Sequence, residues 1–272
     1  MAERKTSTTR RVSPRKWAAA TAAGLAALTP ATMTAMMPQA ALASESGEAG
    51  ESGEAGEAGV TQVLEGPAKF LTQLGYFEGT YRIAAQLYRH GAHDKAREHL
   101  ELSHHAFYED IEPELAEYDA PEFDGLAKQF TDAIAADAPE ADVEAALSAL
   151  LEAVSKTADA SGATLHERLM AMHKLMTLAA AEYGGGVDAE GRVDVAMEYR
   201  DSWGFYKTAE QRAQAMIAGG TTDETEAGQA VLDRLQGIAA LYPGLTAETA
   251  AKDTSALSAA AGWIEIIALR HK

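Results

Sequence analysis

Apolar residues recur at helical spacing from Thr61 to Lys272, and the alternation that is typical of β-strands is absent from this stretch. The pattern predicts an all-α fold, namely a helical bundle of about eight helices in one domain or in two packed helical halves. Glycine or proline separates the predicted helices, and Thr164, Asp194 and Thr246 suit helix N-caps. The predicted ranges are 61–90, 92–118, 121–136, 139–159, 163–183, 194–218, 223–241 and 246–270.

Two segments of different composition precede the predicted domain of residues 61–272. Residues 44–60 repeat a Gly-Glu-Ala/Ser unit without a large apolar side chain, so they are predicted to be an acidic low-complexity linker. Residues 1–43 begin with clustered arginines and lysines, continue with an alanine-rich stretch and end in Ala41-Leu42-Ala43. This is the pattern of a secretory signal peptide. We expect cleavage after about Ala43 and a periplasmic protein, with the Sec and twin-arginine export routes both open.

The charge balance narrows the choice of partners. The chain carries 23 basic and 41 acidic residues, for a formal net charge of −18. Nucleic acid and anionic lipid would be repelled, whereas a metal cation would be attracted. No stable membrane insertion is expected once the signal is removed. Because the chain has no cysteine, histidine, carboxylate, methionine and tyrosine are the side chains left to bind a transition-metal ion.

The predicted helix 92–118 carries the first candidate ligands. Its apolar stripe includes Leu100 and Phe107, and it places His104 at the edge of the core with Glu101 beside it. Carboxylate-bridged di-iron bundles present this i, i+3 pairing twice, together with two further glutamates. The pairing occurs once here, which favours a mononuclear site over a di-iron centre. A structural role for His104, bonded to a carboxylate at the core edge, is the alternative.

The flank of this helix opposite the core is predicted to face solvent and carries Glu98, His105 and Glu109. His90, His93 and His99 would join this flank as a loose surface cation site. Residues 75–100 are similar to a tetratricopeptide-type hairpin. One unit is too short for a solenoid, so we interpret it as a helical hairpin within the bundle.

The predicted helix 163–183 offers a second donor set. His166, Met170, His173 and Met176 fall on one side of it, and thioether with imidazole is a donor set that copper prefers. The structural interpretation is that the methionines fill the core and the histidines form hydrogen bonds inside it. For enzymatic activity the sequence offers nothing: it has no phosphate-binding loop, nucleophile elbow or HExxH helix. We therefore expect a protein that is not an enzyme.

Residues 175–211, LMTLAAAEYGGGVDAEGRVDVAMEYRDSWGFYKTAEQ, resemble the soluble periplasmic helical region associated with bacterial high-affinity iron permeases. The resemblance implies an accessory that binds or hands over iron, since a chain without membrane spans is not the permease itself. Arg97-Glu98-x-x-Glu101 is similar to the iron motif of the permeases. The matching positions of the helical region are Glu182-Tyr183, Gly186-Val187, Glu190-Gly191-Arg192-Val193, Glu198-Tyr199 and Phe205.

These patterns and the resemblance together predict a periplasmic metal-binding accessory protein for iron uptake across the inner membrane, working with a permease or another envelope protein. Two alternatives stay open: a metal-free helical interaction module, and a copper-handling protein that uses His166, Met170 and His173. Glutamate and tyrosine oxygens suit ferric iron. The predicted ligands are Glu101, His104, His173 and Glu198, with His166, Tyr183 and Tyr199 as second choices.

Overall fold

The computed structural model describes residues 64–103, 105 and 108–272. The predicted signal peptide, the predicted linker and His104 lie outside the described residues. The described residues form helices and no strand, which confirms the all-α prediction. The helices are α1 Gly66–Arg89, α2 His93–Leu102, α3 Glu112–Glu117, α4 Asp124–Ala135, α5 Glu140–Ala160, α6 Leu165–Gly186, α7 Ala196–Gly219, α8 Thr222–Leu235 and α9 Ser255–Leu269.

The long helix predicted at 92–118 is wrong. Helix α2 ends at Leu102, and a 3-10 turn at Tyr108–Asp110 and the short α3 follow it. Ser103 is extended, and its hydroxyl accepts from the backbone N–H of His105 at 3.4 Å and lies 3.2 Å from the Thr80 hydroxyl. Side-chain hydrogen bonds of this kind offer the backbone an alternative to the helix. The local bonds of Ser103 therefore accompany the end of α2.

The beginnings of the last helices show which cap predictions succeed. Thr164 is the N-cap of α6 and forms a reciprocal capping box with Glu167, as its position indicated. Asp194 is not a cap, because α7 starts after Val195. Thr246 is not a cap either, because α9 begins only at Ser255.

The segment before α9 bonds to the loop between α6 and α7 instead of forming a helical turn. The N–H of Val193 donates to Glu248 O, and the N–H of Ala250 donates to Gly191 O, both at 2.9 Å. Arg192 and Thr249 form an isolated β-bridge. These long-range bonds satisfy backbone groups that a helix would otherwise satisfy internally.

The three consecutive glycines expected to end α6 lie inside it. A Cβ at Gly186 would be 2.5 Å from the backbone nitrogen of Tyr199, and one at Gly185 would collide with the Glu198 carboxylate. A second close approach joins α1 to α7, where a Cβ at Gly204 would lie 2.9 Å from Gly79 O. At these positions glycine permits helix–helix contact.

The core consists of two clusters of apolar side chains. One lies among α6, α7, α8 and α9, around Leu175, Tyr183 and Ile264. The other lies among α1, α2, α4 and α5, around Phe77 and Phe130. Helix α1 also packs on α6 and α7, so it joins the two halves.

None of the helices in the described part of the chain is both long enough and apolar enough to cross a membrane.

Candidate functional site

Buried polar side chains concentrate where α2 and the residues after it meet the first turns of α7. We call this region the α2–α7 seam. Helix α7 is covered by α1 and α6 at this level, so even its charged residues are enclosed. The seam consists of His99, Ser103, His105, Arg200 and Asp201, all below 9 % exposed.

His99 is the most enclosed ionisable side chain of the seam. It is fully buried, and its Nε2 lies 3.5 Å from Asp201 Oδ1. Neither ring nitrogen has a hydrogen-bond partner among the described residues. Burial lowers the pKa of His99 to about 3, and the charges of Arg200 and His105 act in the same direction. The imidazole is therefore neutral at pH 7 and carries a lone pair that could bind a metal.

His105 is held in the seam by aromatic side chains. Its ring lies 5.3 Å from that of Tyr76 on α1 and 5.2 Å from that of Phe205 on α7, in tilted and edge-on arrangements. His99 and His105 were both predicted to face water, and both predictions are wrong. The predicted face of α2 depended in part on Ile111, which does not belong to this helix.

Two of the sequence-predicted ligands lie where α6 contacts α7. Glu198 is in the first turn of α7, and its carboxylate lies over Gly185. Burial raises the pKa of Glu198, so its neutral form is favoured relative to an exposed glutamate. Tyr199 follows it and faces inward, as predicted, with its ring 5.9 Å from that of Tyr183.

Hydrogen bonds to backbone carbonyls hold both tyrosines. The Tyr183 hydroxyl lies 2.8 Å from Ala251 O and 3.0 Å from Leu241 O, and the Tyr199 hydroxyl donates to Gly244 O at 3.2 Å. Burial raises the pKa of Tyr183, and it raises that of Tyr199 to about 12. A tyrosine binds ferric iron as the phenolate, so these positions favour a structural role for the pair.

The two histidines of α6 bind α9. His166 Nδ1–H donates to Ala268 O at 2.8 Å, and His173 Nδ1–H donates to Ala261 O at 2.9 Å. Both the histidines and their acceptors are seven residues apart, so α6 and α9 run antiparallel. Two turns of helix separate the imidazoles by about 10 Å, which is too far for them to share an ion. Met170 and Met176 belong to the apolar core, as the structural interpretation of this helix predicted.

The predicted ligands do not assemble into one centre in the described part of the chain. Glu101 is exposed near the end of α2, whereas His173 and Glu198 are enclosed. Residues 64–103, 105 and 108–272 contain no group of three or more histidines, aspartates or glutamates placed to hold a metal ion. Glu101, His173 and Glu198 therefore do not form such a group.

Sequence reasoning missed the pairing of His99 with Asp201. A weak signal was present, because Ala92, Ala96, His99 and Ser103 recur at helical spacing on one side of α2. They are small or polar, so the larger apolar residues nearby determined the predicted face. Asp201 was missed although Met197 and Phe205 lie four residues before and after it, because an aspartate is itself rarely buried.

Comparison with known proteins shows a similarity that is confined to the C-terminal half. Residues 159–267 match the family model of the iron permease-associated 4-helix bundle domain. The match covers α6, α7, α8 and nearly all of α9, and it includes the segment 175–211 that resembles this class. The resemblance to an iron permease-associated helical domain is confirmed at that level. No curated protein and no solved structure matches the chain significantly.

Proposed function

We propose that this protein is a periplasmic accessory of iron uptake across the inner membrane. The match of residues 159–267 to an iron permease-associated helical bundle is the observation that carries the proposal. The matched residues correspond to four helices that share one apolar core. The export pattern of residues 1–43 supports a periplasmic location. A permease is the partner that this class of domain suggests.

The proposal includes iron bound at the α2–α7 seam, with His99 and Asp201 as two of the ligands. Two donors bound to one ion at about 2.1 Å lie about 3–3.5 Å apart, and the His99–Asp201 distance of 3.5 Å is compatible with this spacing. A carboxylate oxygen and a neutral imidazole suit iron. His104, which was predicted as a ligand, is adjacent in sequence to two seam residues.

Elemental analysis of the mature protein, purified from the periplasm without a histidine tag, tests this proposal. We expect iron at close to one equivalent, and we expect its loss in a His99→Gln, Asp201→Asn double variant that stays folded. His173→Gln is the matched control and should keep the metal. Copper in place of iron, or iron retained by the double variant, would contradict the proposed centre.

Uptake of radioactive iron by cells tests the transport role separately. Cells that lack this protein should accumulate iron more slowly under iron limitation, and the gene supplied in trans should restore the rate. An unchanged rate in the deletion strain, with the permease present, would refute the accessory role. Mass spectrometry of the exported protein checks cleavage after about Ala43.

A metal-free interaction module is the second candidate, and helix α9 supports it. Trp263, Ile266 and Leu269 are 43 %, 42 % and 54 % exposed on its outer side. Exposed apolar side chains grouped in this way are typical of protein-binding surfaces. Normal iron uptake, no bound metal and loss of an envelope complex in a Trp263→Ala, Ile266→Ser variant would favour this function.

A further inference from the structure

A groove runs between α5 and α7, with α1 as its floor. It consists of two adjoining clefts of about 480 and 590 Å³, which share Arg82, Leu151 and Gln211. Both volumes fall in the range of small-molecule sites in proteins, about 300–1,000 Å³. The groove lies on the far side of α1 from His105 and is separate from the proposed iron ligands.

The groove is basic compared with the rest of the protein. Its walls carry five basic side chains, Arg82, Arg89, Arg168, Lys207 and Arg212, against four carboxylates. The chain as a whole has 23 basic and 41 acidic residues. A local excess of about one positive charge in an acidic protein favours an anion with a single negative charge.

Arg82 is the basic residue that lacks an adequate partner. Its Nη2 lies 3.6 Å from Glu78 Oε2, while Arg212 donates to the other oxygen of the same carboxylate at 2.7 Å. The Nε of Arg82 is buried and has no hydrogen-bond partner among the described residues. One glutamate thus serves two guanidinium groups, which leaves part of a buried positive charge uncompensated.

The other basic side chains of the groove already have partners. Arg89 donates two hydrogen bonds to Glu144, and Arg168 donates one to Glu224 at 2.9 Å. Lys207 is paired with Glu210. Arg82 lines both clefts and its side chain is 20 % exposed, so it is the group that a ligand could reach.

Apolar side chains complete the lining on both sides of Arg82. Leu151 of α5 borders both clefts, Trp203 of α7 borders one, and Met172 of α6 borders the other. A ligand that fits must therefore combine one negative charge with a compact apolar body. Carboxylates form paired hydrogen bonds with guanidinium groups, which gives such a ligand a defined orientation.

We propose that this groove binds a small organic carboxylate, with the carboxylate on Arg82 and the apolar body against Leu151. This ligand is additional to the proposed iron. The inference stands on the charge and shape of the groove and does not depend on the role in iron uptake.

Benzoate is the first probe, titrated into the mature protein by isothermal calorimetry at low salt. Benzamide has the same shape without the charge, and inorganic phosphate has charge without the apolar body. We expect benzoate to bind at least tenfold more tightly than either. Equal affinity for benzamide, or tighter binding of phosphate, would overturn the proposal.

Variants then locate the site. Arg82→Gln should weaken benzoate binding at least tenfold, whereas Arg270→Gln, at an exposed arginine after α9, should leave it unchanged. Ser155→Trp adds bulk from an exposed position of α5 at the groove, without altering a charge or a core residue. The Ser155→Trp variant should block benzoate binding. It also tests the location of the site if the Arg82→Gln variant does not fold. Binding that survives Ser155→Trp places benzoate outside the cleft that Ser155 lines, and binding that also survives Arg82→Gln contradicts the groove.

Discussion

The C-terminal bundle of α6–α9 and the α2–α7 seam both enclose polar side chains, but they satisfy them differently. In the bundle, several buried polar groups reach a carbonyl or hydroxyl across a helix contact, as Ser202 does by donating to Ala179 O and accepting from the Tyr242 hydroxyl, both at 2.6 Å. In the seam, His99 lies beside Asp201 and Arg200 without a hydrogen bond from either ring nitrogen among the described residues. Buried groups left short of partners cost stability.

This difference suggests a division of roles. A bundle whose helices are joined by such hydrogen bonds can fold as a stable scaffold, and it is the part that matches the iron permease-associated domain. The under-satisfied groups, His99 in the seam and Arg82 in the groove, lie where the N-terminal helices meet this scaffold. Perturbed ionisable groups of this kind are common at functional sites.

The largest effect is expected from a change in the bundle itself. Gly186→Ala places a Cβ 2.5 Å from the backbone nitrogen of Tyr199, so α6 and α7 must move apart. Overpacking against backbone costs about 3 kcal/mol of unfolding free energy, measurable by urea denaturation. Gly184→Ala is the control, because no atom lies within 4 Å of its Cβ, and it should stabilise the helix by up to about 1 kcal/mol. Equal stability of the two variants would contradict the close approach.

The buried histidine of the seam should make the stability of the protein depend on pH. In the metal-free protein, His99 stays neutral when folded because its pKa is about 3, against 6.5 in the unfolded chain. Between these values the unfolded state binds the extra proton, so stability is full above pH 6.5 and falls as pH decreases. One titrating group changes the free energy of unfolding by at most about 1.4 kcal/mol per pH unit. Up to about 2 kcal/mol of this free energy is therefore lost between pH 6.5 and 5.

The variant His99→Gln isolates this contribution from the other groups that titrate there. Arg200, Asp201 and His105 adjoin His99. Glu198 acts in the opposite sense, because its raised pKa stabilises the fold at low pH. The variant should have a flatter stability profile from pH 6.5 to 5, measured by urea midpoints, while His90→Gln at an exposed position should follow the natural protein. A profile unchanged by His99→Gln would mean that His99 takes up its proton at the same pH in the folded and the unfolded chain.

A smaller loss is expected when a satisfied group of the bundle is removed. Tyr183→Phe deletes the hydroxyl that contacts Leu241 O and Ala251 O. Loss of the hydroxyl donor leaves these carbonyl acceptors unpaired, which should lower the free energy of unfolding by about 1–2 kcal/mol. The measurement is a lower urea midpoint. Tyr118→Phe in the N-terminal half is the matched control, because that ring stacks on Phe70 at 5.0 Å and the packing is retained. An equally large loss of stability in Tyr118→Phe would show that the hydrogen bonds of Tyr183 are not the cause of the effect.

The smallest effect concerns the start of the bundle. Thr164→Ala removes the capping box of α6 and should lower stability by about 1 kcal/mol. Thr254 occupies the N-cap of α9 without a side-chain hydrogen bond, so Thr254→Ala should change little. Thermal melting of the two variants provides the measurement. The same shift in both would show that the box of Thr164 contributes nothing.

The amino-acid sequence alone determined the helical class, the similarity of the C-terminal half to an iron permease-associated domain and several local features. The predictions that Thr164 is an N-cap and that Tyr199 faces inward are confirmed. Both features depend mainly on neighbours within one or two helical turns. The same local logic failed for the helix 92–118, where Ser103 bonds across to Thr80 on another helix.

Only the tertiary structure decided which polar residues are enclosed and which of them meet. Asp201 and Arg200 have the sequence context of a surface helix, yet they are buried because α7 is enclosed by α1 and α6. His99, Asp201 and Arg82 come from three different helices. Helical periodicity indicates which face of one helix turns inward, but the crossing of helices determines what that face meets, because packing depends on distant residues such as Gly79 and Gly204.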